Sequence, residues 1–435
     1  MAEVFVDAAC NGQDGSGQSY FFLADHYVAY NWTDDRVADG VHSISEWGFS
    51  VTVAPPGPDK ALDAALKGKG TFLDKVYFFK DAGYMRYNWA PPALETPLPL
   101  SLTSWNFPDT FVNGVEAAFN GKFSREGKAY FFKGNRYIRY RWTDNGVDQG
   151  YPKTINNMIG MPPEFASRVD AAVDGDGPFV NYGYLFLSGN YIRFNWNETG
   201  GEPFVDGAIT PIQENWQGLV ELLLAGKAKA QALAWLRVAR VQLSAYAAFL
   251  GGTPYPFDQA LMETVLSTHF HIDPGMPPLS KLPIVSQILA GCNMIETTLN
   301  NSPTIFRYRT DAETVADGNP TIDAAYTFFN GTINFTRNFP LRGPMNRAAS
   351  VMHESVHVFD NLSGSADTHI PEWYVTDAVA AALGLPTTPN DPNLSTRYDL
   401  MTTANALHNP SSYAAFAQHI FYSIDTRYGE GHHDL

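Results

Sequence analysis

The chain is poor in cysteine. Cys10 and Cys292 are the only two in 435 residues, too few and too distant in sequence for a disulfide framework, and both read as free thiols. It is also poor in positive charge. Lys and Arg number 29 against 45 Asp and Glu, giving a formal net charge of −16 and a pI near 5.0. With no basic excess to neutralise phosphates, nucleic acid and anionic membrane surfaces are excluded as main partners. Long apolar runs are missing as well: no stretch approaches the ~18 continuous apolar residues of a spanning helix. The opening MAEVFVDAACNGQDG has no basic region followed by an apolar one, so it does not read as a secretory signal. The expected location is cytoplasmic, or outside the cell by a non-classical route.

What is present is core-forming material. At 14% aromatic and 17% charged residues, the composition is that of a packed multidomain protein. The first half is an internal repeat. Four segments join an acidic residue to two alanines: Asp7-Ala8-Ala9, Asp63-Ala64-Ala65, Glu116-Ala117-Ala118 and Asp170-Ala171-Ala172. Their offsets are 56, 53 and 54 residues. Each unit continues with two aromatic strands, as in Tyr130-Phe131-Phe132 followed by Tyr137-Ile138-Arg139-Tyr140-Arg141-Trp142, joined by turn residues such as Lys133-Gly134-Asn135. Aromatic hairpins at this period predict one propeller blade per repeat, and four blades close a ring.

This pattern resembles the hemopexin-like family, whose blades carry the Asp-Ala-Ala segment, a hairpin of this spelling, and closing residues such as Tyr151-Pro152 and Trp216. The resemblance spans residues 1–216. It implies a central tunnel lined at Ala8, Ala64, Ala117 and Ala171, with Ca²⁺ or Na⁺ as the candidate ion there, and a protein, glycan or small-molecule ligand for the propeller. The plainer reading of the same repeat is scaffold, since the alanines and aromatics are needed to pack and join blades. Arg86, Arg139 and Arg193 recur at one blade position and are expected to pair with neighbouring strands rather than form a binding patch.

After residue 216 the period stops. Gly218–Leu250 reads as one long helix or two abutting ones, with further helices near Phe257–Thr268 and Pro283–Asn300. Strands are expected at Thr304–Thr310, Ala325–Asn330 and Gly331–Arg337, followed by a helix opened by Gly343-Pro344. That last helix carries His353-Glu354-Ser355-Val356-His357. Two imidazoles four apart project from one helix face and can share a Zn²⁺, with the intervening glutamate free to act on a metal-bound water. Met352, Val356 and Phe359 form the apolar stripe beside them.

The order of helices, small sheet and H-E-x-x-H helix resembles that of a zincin. The fold class expected for the whole chain is therefore multidomain: an all-β four-bladed propeller (1–216) followed by an α+β zincin-like domain (217–435). Thr332–Thr336 is the candidate edge strand for binding extended peptide. A catalytic zinc needs a third protein ligand. The metzincin spelling would require glycine at 360 and histidine at 363, but Asp360 and Ser363 stand there. Instead, Gly364-Ser365-Ala366-Asp367, and Asn405-Ala406 with Tyr413-Ala414-Ala415-Phe416-Ala417, resemble the aspzincins, the deuterolysin and peptidyl-Lys metalloendopeptidase family. That resemblance implies Asp367 as third ligand, with Glu372 and His369 as alternatives. The family tyrosine is displaced, since Ile370 and Pro371 occupy the expected places, and Tyr374 is the candidate to replace it. The implied activity is zinc-dependent endopeptidase cleavage of a polypeptide, with Glu354 as general base. The alternative is a hemopexin-like ligand-binding protein, of lectin or toxin type, with an inactive zincin domain.

Overall fold

The computed structural model describes residues 3–49, 60–96, 99–196, 204–253, 255–320, 322–328, 331–362, 398 and 401–425. The chain divides into two compact units, Met1–Leu223 and Leu224–Leu435.

The first unit holds four antiparallel sheets of five strands each. Their first strands are β1 (Ala8–Asn11), β2 (Ala64–Lys67), β3 (Ala117–Asn120) and β4 (Ala171–Asp174). Each of these neighbours two others in the cyclic order β1-β2-β3-β4-β1, so the sheets are the blades of a closed ring. Alanine suits this place because the four strands crowd the axis. Ala8, Ala64, Ala117 and Ala171 are all at most 1% exposed.

The acidic residue before each alanine has a local task. Asp7 accepts from the amide of Ala24, Asp63 from Asp81, Glu116 from Gly134 and Asp170 from Ser188, at 2.7–2.8 Å. Each donor sits in the turn of its blade's hairpin at a φ of 50–53°, a left-handed conformation whose backbone groups the strand ladder does not serve. The repeated carboxylate thus staples the hairpin tip to the inner strand.

At the other end of the inner strands, Asp174 gathers the ring. It accepts from Asn11 Nδ2 of the first blade (3.2 Å) and from the Asn120 amide of the third (3.2 Å), and pairs with Lys122 at 2.7 Å. Asn120 in turn donates to the carbonyl of Lys67 in the second blade at 2.9 Å.

Aromatic side chains join the blades. Trp47 closes the first blade and packs on Phe78, Tyr87 and Trp89 of the second. Trp105 does the same against Phe131, Tyr140 and Trp142 of the third. Met158 stands in the cluster between the third and fourth, and Trp216 seals the fourth to the first through Phe21, Tyr30 and Trp32. Most of these pairs are edge-to-face, with Trp105–Tyr140 and Tyr30–Trp216 tilted, and an edge-to-face pair contributes about 0.5–1.5 kcal/mol beyond its burial. The recurring arginines are spent inside their blades: Arg86 pairs with Glu95, Arg139 with Asp148 and Arg193 with Asp206, and Arg193 also lies over Tyr182 at 4.2 Å.

The second unit is mainly helical. A single helix, α1 (Leu219–Leu250), runs where one or two were expected, and the division between units falls within it. Next come α2 (Gln259–Phe270), capped by Asp258, and α3 (Pro278–Asn300), which admits Pro283 in its second turn. A three-stranded sheet of β5 (Phe306–Tyr308), β6 (Ala325–Phe328) and β7 (Thr332–Phe335) follows, then α4 (Pro344–Leu362) and α5 (Pro410–Tyr422). The sheet order is β5-β7-β6, parallel then antiparallel. Strand β7 is therefore central, which corrects the expectation that Thr332–Thr336 is an edge. Phe306–Tyr308 pairs with one side of it and Ala325–Phe328 with the other. Among the described residues, β6 is the edge strand on the other side.

Candidate metal centre

Helix α4 begins at Pro344 and packs against β6, β7, α3 and α5. Of the apolar stripe, Met352 and Val356 are fully buried and Phe359 is half-buried, in a helix whose residues 346–356 are all buried. His353 and His357, one turn apart on this helix, approach each other, with Nε2 of one 3.3 Å from Nε2 of the other. For a tetrahedral ion with Zn–N bonds of about 2.0–2.1 Å, two imidazole nitrogens stand about 3.3 Å apart. The pair already has the separation that one shared ion demands, so the residues fit the metal.

Two further contacts orient this pair and the residue between them. Nδ1 of His353 is 3.2 Å from Oγ of Ser411, at the start of α5. With Nδ1 protonated and donating to that oxygen, the lone pair is on Nε2, facing His357. The Glu354 carboxylate is largely buried, and its Oε2 lies 2.8 Å from the hydroxyl of Thr327 on β6. The same hydroxyl is 2.9 Å from the backbone carbonyl of Glu354. The sheet edge and the acid of the motif are thereby joined through one side chain.

His353, Glu354 and His357 are thus brought together. Asp367, His369, Glu372 and Tyr374, the candidates for third ligand and for the displaced tyrosine, lie outside the described residues. Ala8, Ala64, Ala117 and Ala171 are buried on the four neighbouring inner strands of the propeller. Thr327 and Ser411 were not singled out from sequence. Ser411 falls inside the 405–417 stretch that carries the aspzincin resemblance, which was the available signal, whereas Thr327 had none.

The two thiols take no part in this centre. Cys10 and Cys292 are free and buried; burial raises the pKa of both, that of Cys292 to about 12, so they stay protonated and unreactive.

Comparison with known proteins bears on the first unit. A family model described as Hemopexin matches residues 119–163, which run from Phe119 in β3 through the third blade. Interstitial collagenase of Equus caballus is 35% identical over 184 residues, covering 41% of this chain and 35% of that protein. Neutrophil collagenase of Homo sapiens is 30% identical over 195 residues, covering 42% and 38%. The chain thus spans little more than a third of the length of these relatives. Among solved structures, the hemopexin fold protein CP4 from cow pea is 22% identical and covers 49% of this chain and 96% of its own, with a TM-score of 0.40. The N-terminal region is hemopexin-like.

Proposed function

We propose that the chain is a zinc-dependent metalloendopeptidase of aspzincin type, whose hemopexin-like propeller binds the polypeptide substrate or a partner that presents it. The observation that carries this reading is the 3.3 Å approach of His353 Nε2 to His357 Nε2 beside a Glu354 carboxylate held from a sheet edge.

His353 and His357 would hold the ion together with Asp367, or with Glu372 or His369 in its place. When bound, the metal supplies the Lewis acidity that makes water a nucleophile near neutral pH and polarises the peptide carbonyl. Glu354 accepts the proton of the attacking water and returns it to the leaving amine. The Thr327 hydroxyl can serve both states of that carboxylate. It donates to Oε2 when Glu354 is ionised; when Oε2 carries the proton, the hydroxyl accepts from it and turns its own hydrogen to the Glu354 carbonyl. An extended substrate adds along β6, the strand that bears Thr327, through backbone hydrogen bonds. Tyr374 is the proposed donor to the developing oxyanion.

The test is proteolysis of an unfolded generic substrate by the full chain, with and without chelator, alongside the metal content of the purified protein. Chelator-sensitive cleavage with about one catalytic zinc supports the reading. Bound zinc without cleavage favours the alternative, a ligand-binding propeller joined to an inactive domain.

A further inference from the structure

We propose that His269, His419 and Asp425 form a second, structural divalent-metal site, separate from the H-E-x-x-H pair. His269 is in the last turn of α2, His419 in the last turn of α5, and Asp425 just beyond it. One ligand atom from each, an imidazole nitrogen from either histidine and a carboxylate oxygen from Asp425, lies within 4.8 Å of the others. Both imidazoles are buried and Asp425 is half-buried.

The orientation of the rings favours an ion. Nε2 of His269 and Nδ1 of His419 face each other at 2.9 Å, so a widening of a few tenths of an ångström brings them to the separation of two nitrogens on one tetrahedral zinc, about 3.3 Å. On the far side of the His269 ring, Nδ1 is 3.1 Å from the hydroxyl of Tyr398. With Nδ1–H donating to that oxygen, Nε2 is the unprotonated nitrogen and points inward, the usual arrangement of an outer partner behind a ligating histidine. Two nitrogens and one carboxylate oxygen suit Zn²⁺ or Co²⁺ better than Mg²⁺ or Ca²⁺, which prefer all-oxygen shells. The site is distinct from the first. Ser411, which touches His353, and His419 are eight residues apart on α5, about 12 Å along its axis. An ion here would tie the ends of α2 and α5 together, and α5 is the helix that orients His353.

The experiment counts metal in the full chain after chelator stripping and reloading with Zn²⁺, and repeats the loading with Co²⁺ to read visible d–d bands. The background is the double variant His353→Ala/His357→Ala, which removes the first site. One zinc equivalent is expected to remain there, and to be lost on adding Asp425→Asn or His419→Gln. Tyr398→Phe, which leaves the ligands intact, is expected to weaken binding about tenfold. In the otherwise unaltered chain, Asp425→Asn lowers the count from two equivalents to one; this substitution at the half-buried ligand guards against misfolding of the buried histidine variants, with far-UV circular dichroism as control. No zinc in the background variant, or the same zinc affinity with and without Asp425→Asn, overturns the proposal. Neither result touches the first site, whose failure would instead appear as loss of chelator-sensitive cleavage.

Discussion

The hydroxyl of Thr327 lies 2.8 Å from Oε2 of Glu354 and 2.9 Å from the carbonyl oxygen of the same residue. One rotatable proton therefore stands between the edge of a sheet and the acid of a helix, and it can adjust as that acid gains or loses a proton. Thr327→Val keeps the shape and removes the hydroxyl. A hydrogen bond to a charged group is worth about 1.5–3 kcal/mol, so kcat should fall roughly 10- to 100-fold, with KM and zinc content unchanged. Thr327→Ser should restore most of the rate. Steady-state kinetics on one peptide substrate checks both, and an unaltered kcat for the valine variant would remove Thr327 from the mechanism.

The repeated acid predicts a stability effect far from any metal. Asp170 accepts from the Ser188 amide at 2.7 Å, and Ser188 has a φ of 53°. Asp170→Ala leaves that amide without its acceptor at the hairpin tip and should destabilise the propeller by about 1.5–3 kcal/mol. Asp170→Asn, which retains an acceptor oxygen, should cost less. Denaturant titration followed by tryptophan fluorescence measures the difference.

Much of this was legible in the sequence, and what was not has a physical pattern. The four blades could be read because each must solve the same local problem, so the same residues recur at a fixed interval. The H-E-x-x-H helix could be read because its period sets which face is apolar. The partner of each blade carboxylate was hidden, because the amide it serves lies 17 or 18 residues away in a hairpin turn. The strand order of the small sheet was hidden too. β7 is covered on one side by Phe306–Tyr308, which pairs with it in parallel across intervening chain, and no alternation of side chains announces a parallel neighbour. Thr327 and Ser411 meet the motif across 27 and 58 residues, a separation at which sequence spacing carries no geometry.

Close packing between α3 and α5 makes Gly291 intolerant. A Cβ there would stand 2.5–2.7 Å from the ring and hydroxyl of Tyr413, which is buried and donates to the Leu407 carbonyl at 3.0 Å. On an open helix face Gly→Ala stabilises by about 0.8–1.0 kcal/mol. Here overpacking, at about 1–3 kcal/mol, should win, and Gly291→Ala should lower the thermal midpoint. Calorimetry of the variant decides the sign.

A pH dependence follows from Glu221 in the first turn of α1. It is 1% exposed, and Gln213 Nε2 donates to its Oε1 at 2.7 Å. Burial pushes its pKa up from 4.5 to about 7, against smaller lowering by its backbone and Gln213 hydrogen bonds. The folded state therefore binds this proton more tightly than the unfolded chain. The stability it contributes is fully present below about pH 4.5, declines as pH rises towards about 7, and levels off above that. The span is at most about 3 kcal/mol. Glu221→Gln preserves the Gln213 contact and should flatten this part of the profile while stabilising the protein at pH 8. Denaturant midpoints at pH 5 and pH 8 for both proteins test it.

In the proposed function, His353 and His357 hold a catalytic zinc and Glu354 acts as proton acceptor. Its most direct test is Glu354→Gln in the full chain, measuring bound zinc and peptide cleavage on the same preparation. Unchanged zinc at the His353/His357 site and a loss of turnover of at least a hundredfold are expected. Cleavage by the variant at the rate of the unaltered chain, or an unaltered chain that neither binds zinc nor loses activity with chelator, would contradict it.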